Sequence, residues 1–298
     1  MSIRLGINPI TWSNDDMPAL GGDIPLATCL AETRQAGFAG TELGGKFPRE
    51  AVALRPLLDA QGLALVSGWF DGRALLRDPA AEWAAVLPHL TLLRDMGCAV
   101  VVYADTSRRN EGDIFRPLSG RPVLDTADWP AYGRRLTGLA ERMADFGVRM
   151  AFHHHMGTIV QTGAEIDRLM AHTGEAVGLL FDSGHCLFAG ADPAAVLARH
   201  IARVAHVHCK DVRRTVLDQA LAGDLSFMDA ILAGVFTVPG DGCIPFPALL
   251  AQLRARGYAG WLVVEAEQDP RIADPLTYAR MGHDNLATMA RAAGFTIA

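Results

Sequence analysis

Residues 132–155 read YGRRLTGLAERMADFGVRMAFHHH. Tyr132–Phe146 carries a helical pattern, Gly147 supplies a stop, and Arg149–His153 is a short apolar run that ends on histidine. A glycine just past a helix adopts the left-handed conformation that closes the last turn, and the next strand begins within a few residues. The same order recurs along the chain. Pro25–Ala36 stops at Gly37, Arg49–Gln61 at Gly62, Glu82–Met96 at Gly97 and Pro247–Arg256 at Gly257. The runs that read as strands are Arg4–Ile7, Gly40–Leu43, Ala64–Ser67, Ala99–Tyr103, Arg149–His153, Val177–Phe181, Val204–His208 and Trp261–Glu265. Several show little polar alternation, as buried parallel strands do. Parallel strands need crossover connections, so this is an α/β protein. Such units across 298 residues predict one (β/α)8 barrel domain spanning residues 1–298. A doubly wound open sheet would usually place a Gly-rich phosphate turn after its first strand, and here that turn reads NPITW from Asn8.

Composition narrows the partners. Half of the residues are hydrophobic and 20% are charged, with a formal net charge of -6. That is a globular profile, and it gives no electrostatic reason to expect nucleic acid or an anionic membrane. The start, MSIRLGINPITW, lacks the pattern of a signal peptide, and no apolar run is long enough to span a bilayer. The five cysteines form no CxxC pair, so free thiols in a reducing cytoplasm are the simplest expectation. The composition is also compatible with a homo-oligomer.

The chemistry gathers at strand ends. Residues there converge on one pocket at the C-terminal face of a barrel. Asn8 and Trp12, Glu42, Trp69, Tyr103, His153 to His155, Asp182 and His185, His206 and His208, and Glu265 and Glu267 occupy these positions. Three groups stand out. Phe181-Asp182-Ser183-Gly184-His185 offers a carboxylate and an imidazole at one strand end. His206 and His208, two apart, project from the same side of a strand. Glu265 follows a buried apolar run and needs a partner, because an isolated buried charge is too costly. One cation shared among such groups would compensate the carboxylates together, and mixed imidazole and carboxylate ligands suit Mn, Co, Fe or Zn. In His153-His154-His155 the outer pair shares a face. Taken singly, each of these groups has a blander reading: a capping or core-satisfying polar residue, which we favour for His206, a solvated loop carboxylate for Glu267, and packing for Trp12, Trp69 and Phe70. What the blander readings do not predict is their coincidence at successive strand ends. Two long excursions, Ala104–Trp129 and Val212–Gly242, leave the same face and read as lids or substrate loops. HExxH, GxSxG and Walker motifs are all missing.

Several segments carry a family resemblance over nearly the whole chain: NPITWSNDDMPALGGD, GFAGTELGGKFPR, FHHHMGT, FDSGHC, HVHCKDVR, FTVPGDG and GWLVVEAEQDP. The chain resembles the inosose dehydratases of bacterial inositol catabolism and their rhizopine-catabolism relatives, within the xylose-isomerase-like TIM-barrel superfamily. The first and last segments are the most specific; FDSGH and HVHCKD are shared more widely. The resemblance implies dehydration of 2-keto-myo-inositol to a trihydroxycyclohexane-dione, with Mn2+ or Co2+ as cofactor and an associated glutathione requirement. By motif it implies Asp182, His208 and Glu265 as metal ligands. Many relatives carry a Glu near the end of strand five, where this chain has FHHHMGT. The fourth position is therefore open to His153, His155 or water, and we assign it to His153.

An inosose is an α-hydroxy ketone whose adjacent oxygens suit a Lewis acid, which would stabilise the enolate formed when the α-proton leaves. His185, His155 and Lys210 are candidate bases. Glu42, Lys46 and Glu267 are candidates to hold or protonate hydroxyls, Asn8 and Arg213 to contact the substrate, and Trp12 and Trp69 to cover the ring face. A sugar isomerase or epimerase on the same barrel is the rival reading, and a non-catalytic polyol-binding barrel a further one. An endonuclease of the related barrel class is disfavoured by the acidic charge balance.

Overall fold

The computed structural model describes residues 1–110 and 112–298. Eight parallel strands close on themselves: β1 (Ser2–Ile7), β2 (Gly40–Leu43), β3 (Ala64–Gly72), β4 (Val100–Asp105), β5 (Arg149–His153), β6 (Gly178–Asp182), β7 (Val204–Cys209) and β8 (Trp261–Val264). Closure is made by β8 pairing with β1, with Gly6 opposite Val263 and Ile7 opposite Val264. The helices sit between successive strands, and the anticipated stops hold their place. Gly147 and Gly257 cap their helices at φ 101° and 85°, a region a β-carbon disfavours.

The barrel floor is apolar and built on two glycines. Val66, Trp261 and Val263 form one interior cluster, and Val100, Val102, Ala151 and Leu180 another. The Trp261 indole lies across the floor because Gly40 and Gly6 leave it room. A β-carbon at Gly40 would stand 2.8 Å from the Trp261 ring and 2.8 Å from the Ala64 carbonyl oxygen.

Strand alternation then dictates what lies one layer higher. Two residues beyond Gly6, Gly40, Ala151, Leu180, His206 and Val263 come Asn8, Glu42, His153, Asp182, His208 and Glu265. The layer above the floor is polar because six strands each turn a polar side chain inward there.

The two excursions meet over the barrel mouth. The backbone of Pro117 bridges to Ser226, Leu118 N–H donates to Leu225 O at 2.9 Å, and Ser119 bonds Asp224. The second excursion starts as a short antiparallel ribbon, Asp211–Val212 against Phe236–Thr237, which encloses the helices Arg214–Ala222 and Phe227–Leu232. No described helix is long and apolar enough to cross a membrane.

Candidate metal centre and pocket

His153, Asp182, His208 and Glu265 are all buried, and one ligand atom from each lies within 4.8 Å of the others. His208 Nδ1 is 2.7 Å from Glu265 Oε2 and 3.5 Å from Asp182 Oδ2, and His153 Nε2 is 3.7 Å from Asp182 Oδ2. Asp182 Oδ2 and His208 Nδ1 lack a hydrogen-bond partner although both are buried. The close approach of His208 Nδ1 to Glu265 is thus not aligned as a hydrogen bond. Buried polar atoms are almost always partnered. Two orphans aimed at the same point, among two carboxylates and two imidazoles, fit a cation of the imidazole- and carboxylate-binding kind.

The imidazoles are turned for this role from behind. His153 Nδ1–H donates to the His154 carbonyl at 2.6 Å, which leaves Nε2 facing Asp182. His208 Nε2–H donates to Glu42 Oε1 at 3.2 Å, which leaves Nδ1 facing the cluster. The second oxygen of Asp182 accepts the His185 backbone N–H at 2.8 Å, so this strand end also caps the helix Ser183–Phe188.

Beside the cluster stands Lys210. Its Nζ is 2.7 Å from Glu265 Oε1, 2.5 Å from Glu267 Oε1 and 2.9 Å from His185 Nε2. Burial works against its charge, but the Glu265 and Glu267 carboxylates outweigh burial and hold the ammonium protonated. Lys210 is therefore a fixed cation, which corrects its listing among the candidate bases. Burial also pushes Glu267 up to about 7, with Lys210 opposing the shift. Burial, with Lys210 adding to it, brings His155 down to about 4, and burial and the surrounding imidazoles keep His185 well below its usual value. For Glu265, His208 and Lys210 overcome the effect of burial and hold the carboxyl well below its usual range.

A cleft of about 1000 Å³ opens over these groups. Asn8, Lys46, Trp69, His155, Glu265 and Glu267 line it, together with Arg109 and Asp71 at the rim. Trp69 packs edge-on against His153 and His155, with ring centroids 5.4 and 5.5 Å apart. Lys46 Nζ donates to the Gly21 and Ile24 carbonyls, so its head also ties down the loop after β1. His185 is fully buried behind His155, their ring centroids 3.9 Å apart.

Three further expectations are corrected. Trp12 is buried in the outer core with its indole N–H donating to Glu32 at 2.6 Å, because the turn Pro9–Thr11 carries its side chain away from the cleft. Arg213 holds the second excursion together. It donates to Gly234 O, Phe236 O, Thr237 and Asp241 and is absent from the cleft wall. Glu42 lies beneath the cluster, bonded to Asn8, Ser67, His206 and His208, instead of in the cleft. His206 is satisfied by Glu42 at 2.9 Å, the core-satisfying role favoured for it.

Sequence reasoning missed Ser67, Phe227, Phe236 and Arg109. Ser67 ends no anticipated strand on a charge. The phenylalanines sit deep in an excursion, yet Phe227 faces His155 and His185 at 5.6 and 5.8 Å, and Phe236 lies 4.5 Å under the Lys210 ammonium. Only the folded ribbon brings them there.

Comparison with known proteins agrees with this fold. A family model described as a xylose isomerase-like TIM barrel matches residues 30–289. The rhizopine catabolism protein MocC of Rhizobium meliloti is 65% identical over 297 residues, which is the whole of this chain and 91% of that protein. An inosose dehydratase of Geobacillus thermodenitrificans is 45% identical over 280 residues, 93% of this chain and 94% of that one. Among solved structures, the IolI protein with a bound zinc atom superposes with a TM-score of 0.68 at 16% identity, over 97% of this chain and 98% of that one. An L-ribulose 3-epimerase does so with a TM-score of 0.63 at 18% identity, over 98% and 95%. These two share the fold. The chain belongs to the xylose isomerase-like TIM barrel family, in the group that holds the inosose dehydratases and the rhizopine catabolism protein.

Proposed function

We propose that this enzyme is a metal-dependent hydro-lyase that removes water from 2-keto-myo-inositol, giving a trihydroxycyclohexane-1,2-dione, with Mn2+ or Co2+ held by His153, Asp182, His208 and Glu265. The observation that carries the reading is the pair of orphaned atoms, Asp182 Oδ2 and His208 Nδ1, facing one point beneath a polar cleft. Relatives named inosose dehydratase, matched over nearly the whole chain, supply the substrate class.

A divalent cation held by His153, Asp182, His208 and Glu265 would supply Lewis acidity toward the substrate carbonyl. The protein's own groups handle the protons. His155 and Glu267 line the cleft, where a bound substrate would meet them, whereas His185 is buried behind His155. A neutral His155 accepts the proton from the carbon next to the carbonyl. Glu267 donates a proton to the departing β-hydroxyl, which leaves as water. The Lys210 ammonium, fixed between Glu265 and Glu267, favours the negative charge that develops on the substrate oxygens. Asn8 and Lys46 stand within the same wall as hydroxyl partners, and the Trp69 indole offers a face to the ring.

The test is direct. Protein loaded with Mn2+ or Co2+ is incubated with 2-keto-myo-inositol, and the ultraviolet absorbance of the enolised dione is followed. The absorbance is expected to rise with the parent protein. With Asp182→Ala both metal retention and the absorbance are expected to disappear. A parent protein that returns only epimerised or isomerised polyol, with no absorbance, would favour the rival reading. Full turnover by the Asp182→Ala variant would overturn the site.

A further inference from the structure

Glu42 is surrounded by donors. Its Oε2 accepts from Asn8 Nδ2 at 2.7 Å, and its Oε1 accepts from Ser67 Oγ at 2.5 Å, His206 Nε2 at 2.9 Å and His208 Nε2 at 3.2 Å. All of these residues except Asn8 are buried, and Glu42 itself is only 2% exposed. The position demands an acceptor on both oxygens. A carboxylate meets that demand and an amide does not, because its NH2 would confront either the Asn8 amide or the histidines.

We propose that Glu42 is a positioning residue for the cation site: by holding the proton of His208 on Nε2, it keeps Nδ1 as the atom offered to the metal. The inference rests on the four-donor site proposed above. A neutral imidazole carries one N–H, and the hydrogen bond made by one nitrogen decides which nitrogen is free to ligate. In this barrel the constraint comes from below. His206 and His208 share a strand face, and Glu42 on the opposite side of the barrel reaches both. His206 therefore has a part in the site although it does not reach the cluster: it supplies a second donor that holds the Glu42 carboxylate in place. Asn8 completes the link, since its amide also donates to Glu265 Oε2 at 3.1 Å and so ties the hub to a second ligand. Glu42 thus acts through the ligands it holds, His208 directly and Glu265 by way of Asn8.

Two measurements on the full-length protein test the idea, and neither uses turnover. In the first, Co2+ is titrated into the parent and into Glu42→Gln, following the visible absorption of the bound ion. The variant is expected to bind Co2+ roughly 10–100-fold more weakly, the range found when an outer-shell partner of a ligating histidine is lost. Circular dichroism checks that the variant is folded. Affinity within a factor of about two of the parent, on the scale where tenfold is ~1.4 kcal/mol, would overturn the proposal. The second needs no variant and stands even if Glu42→Gln fails to fold. In the parent loaded with Zn2+, 15N NMR of the histidines is expected to find His208 ligated through Nδ1 and protonated at Nε2. Ligation through Nε2 would overturn the assignment. If the parent binds neither Co2+ nor Zn2+, it is the cation site itself that fails, a result distinct from either outcome for Glu42.

Discussion

The stem of Lys210 crosses Gly184 so closely that a β-carbon there would stand 2.5–2.8 Å from three of its carbons. This contact gives the glycine of the FDSGH segment a physical reason. The lysine cannot step aside, because its head is fixed by Glu265, Glu267 and His185 and the whole side chain is buried. Gly184→Ala is therefore expected to misplace the ammonium without touching a metal ligand. Overpacking of this kind costs about 1–3 kcal/mol of stability. A shift of the charge relative to the substrate should lower kcat by about tenfold, or ~1.4 kcal/mol on the barrier. Steady-state kinetics at saturating metal, beside a thermal melt, checks both; unchanged kcat would show that the ammonium is not needed where it stands. At this scale the residue types of the site were legible in the sequence, because a carboxylate or imidazole at the end of a buried apolar run has to be compensated. Their arrangement was less so. Asp182, His208 and Glu265 bring their ligand atoms together, whereas the Glu42 head proved to turn beneath the cluster onto His206 and His208. Alternation fixes which face a side chain takes, but not whether its head reaches the cleft or a neighbour.

Among the elements, β7 and the segment after it divide the labour of HVHCKDVR. His206 and His208 point into the barrel, Lys210 is buried with its head against His185, Glu265 and Glu267, and then the chain bends. Asp211 makes the bend. Its Oδ1 accepts from Val212 and Ile244 N–H at 2.8 and 2.9 Å, and its Oδ2 from Gly240 and Gly242 N–H at 2.9 and 3.1 Å. One carboxylate thus gathers four backbone donors from both ends of the second excursion, and Arg213 clasps the same segment from outside. Asp211→Ala would strand several of these donors, at about 1–3 kcal/mol for each one left buried and unpaired. The expected outcome is a loss of roughly 2–4 kcal/mol and faster backbone hydrogen exchange over residues 212–244. Exchange that stays at the parent rate would show that the ribbon is held by something else. The strands themselves were readable within a residue or two at most ends, because buried parallel strands are apolar throughout and the glycine stops are local. The ribbon was not. Its strands, Asp211–Val212 and Phe236–Thr237, are too short to show a period, and they are held by pairing across an intervening pair of helices. That is also why Arg213 read as a substrate contact: its partners are carbonyls and hydroxyls far along the chain.

Over the whole molecule, the barrel carries a cost at its centre. Asp182, Glu265, Glu267, Glu42 and the imidazoles of His153, His154, His155, His185, His206 and His208 are buried above or beside an apolar floor. Part of that charge is balanced internally by Lys210, but Asp182 Oδ2 and His208 Nδ1 remain without hydrogen bonds. Polar atoms left in this state weaken a fold by about 1–3 kcal/mol each, and the outer core, which runs from Ile3 to Phe295, sustains them. A ligand that satisfies both atoms in the folded chain and finds no such site in the unfolded chain must stabilise the protein. At a free concentration 100 times its dissociation constant the gain is about 2.7 kcal/mol. For a barrel of this size that corresponds to a rise in Tm of roughly 5 °C. Mn2+ or Co2+ is therefore expected to raise the Tm of the metal-stripped parent, with the shift growing with the logarithm of metal concentration. Asp182→Ala should abolish the shift. Its effect on the metal-free Tm should be smaller than that of a typical buried carboxylate, because the substitution also removes an orphaned atom. A differential scanning series in metal concentration reads both at once. A variant that still responds to metal like the parent would place the cation somewhere other than on Asp182.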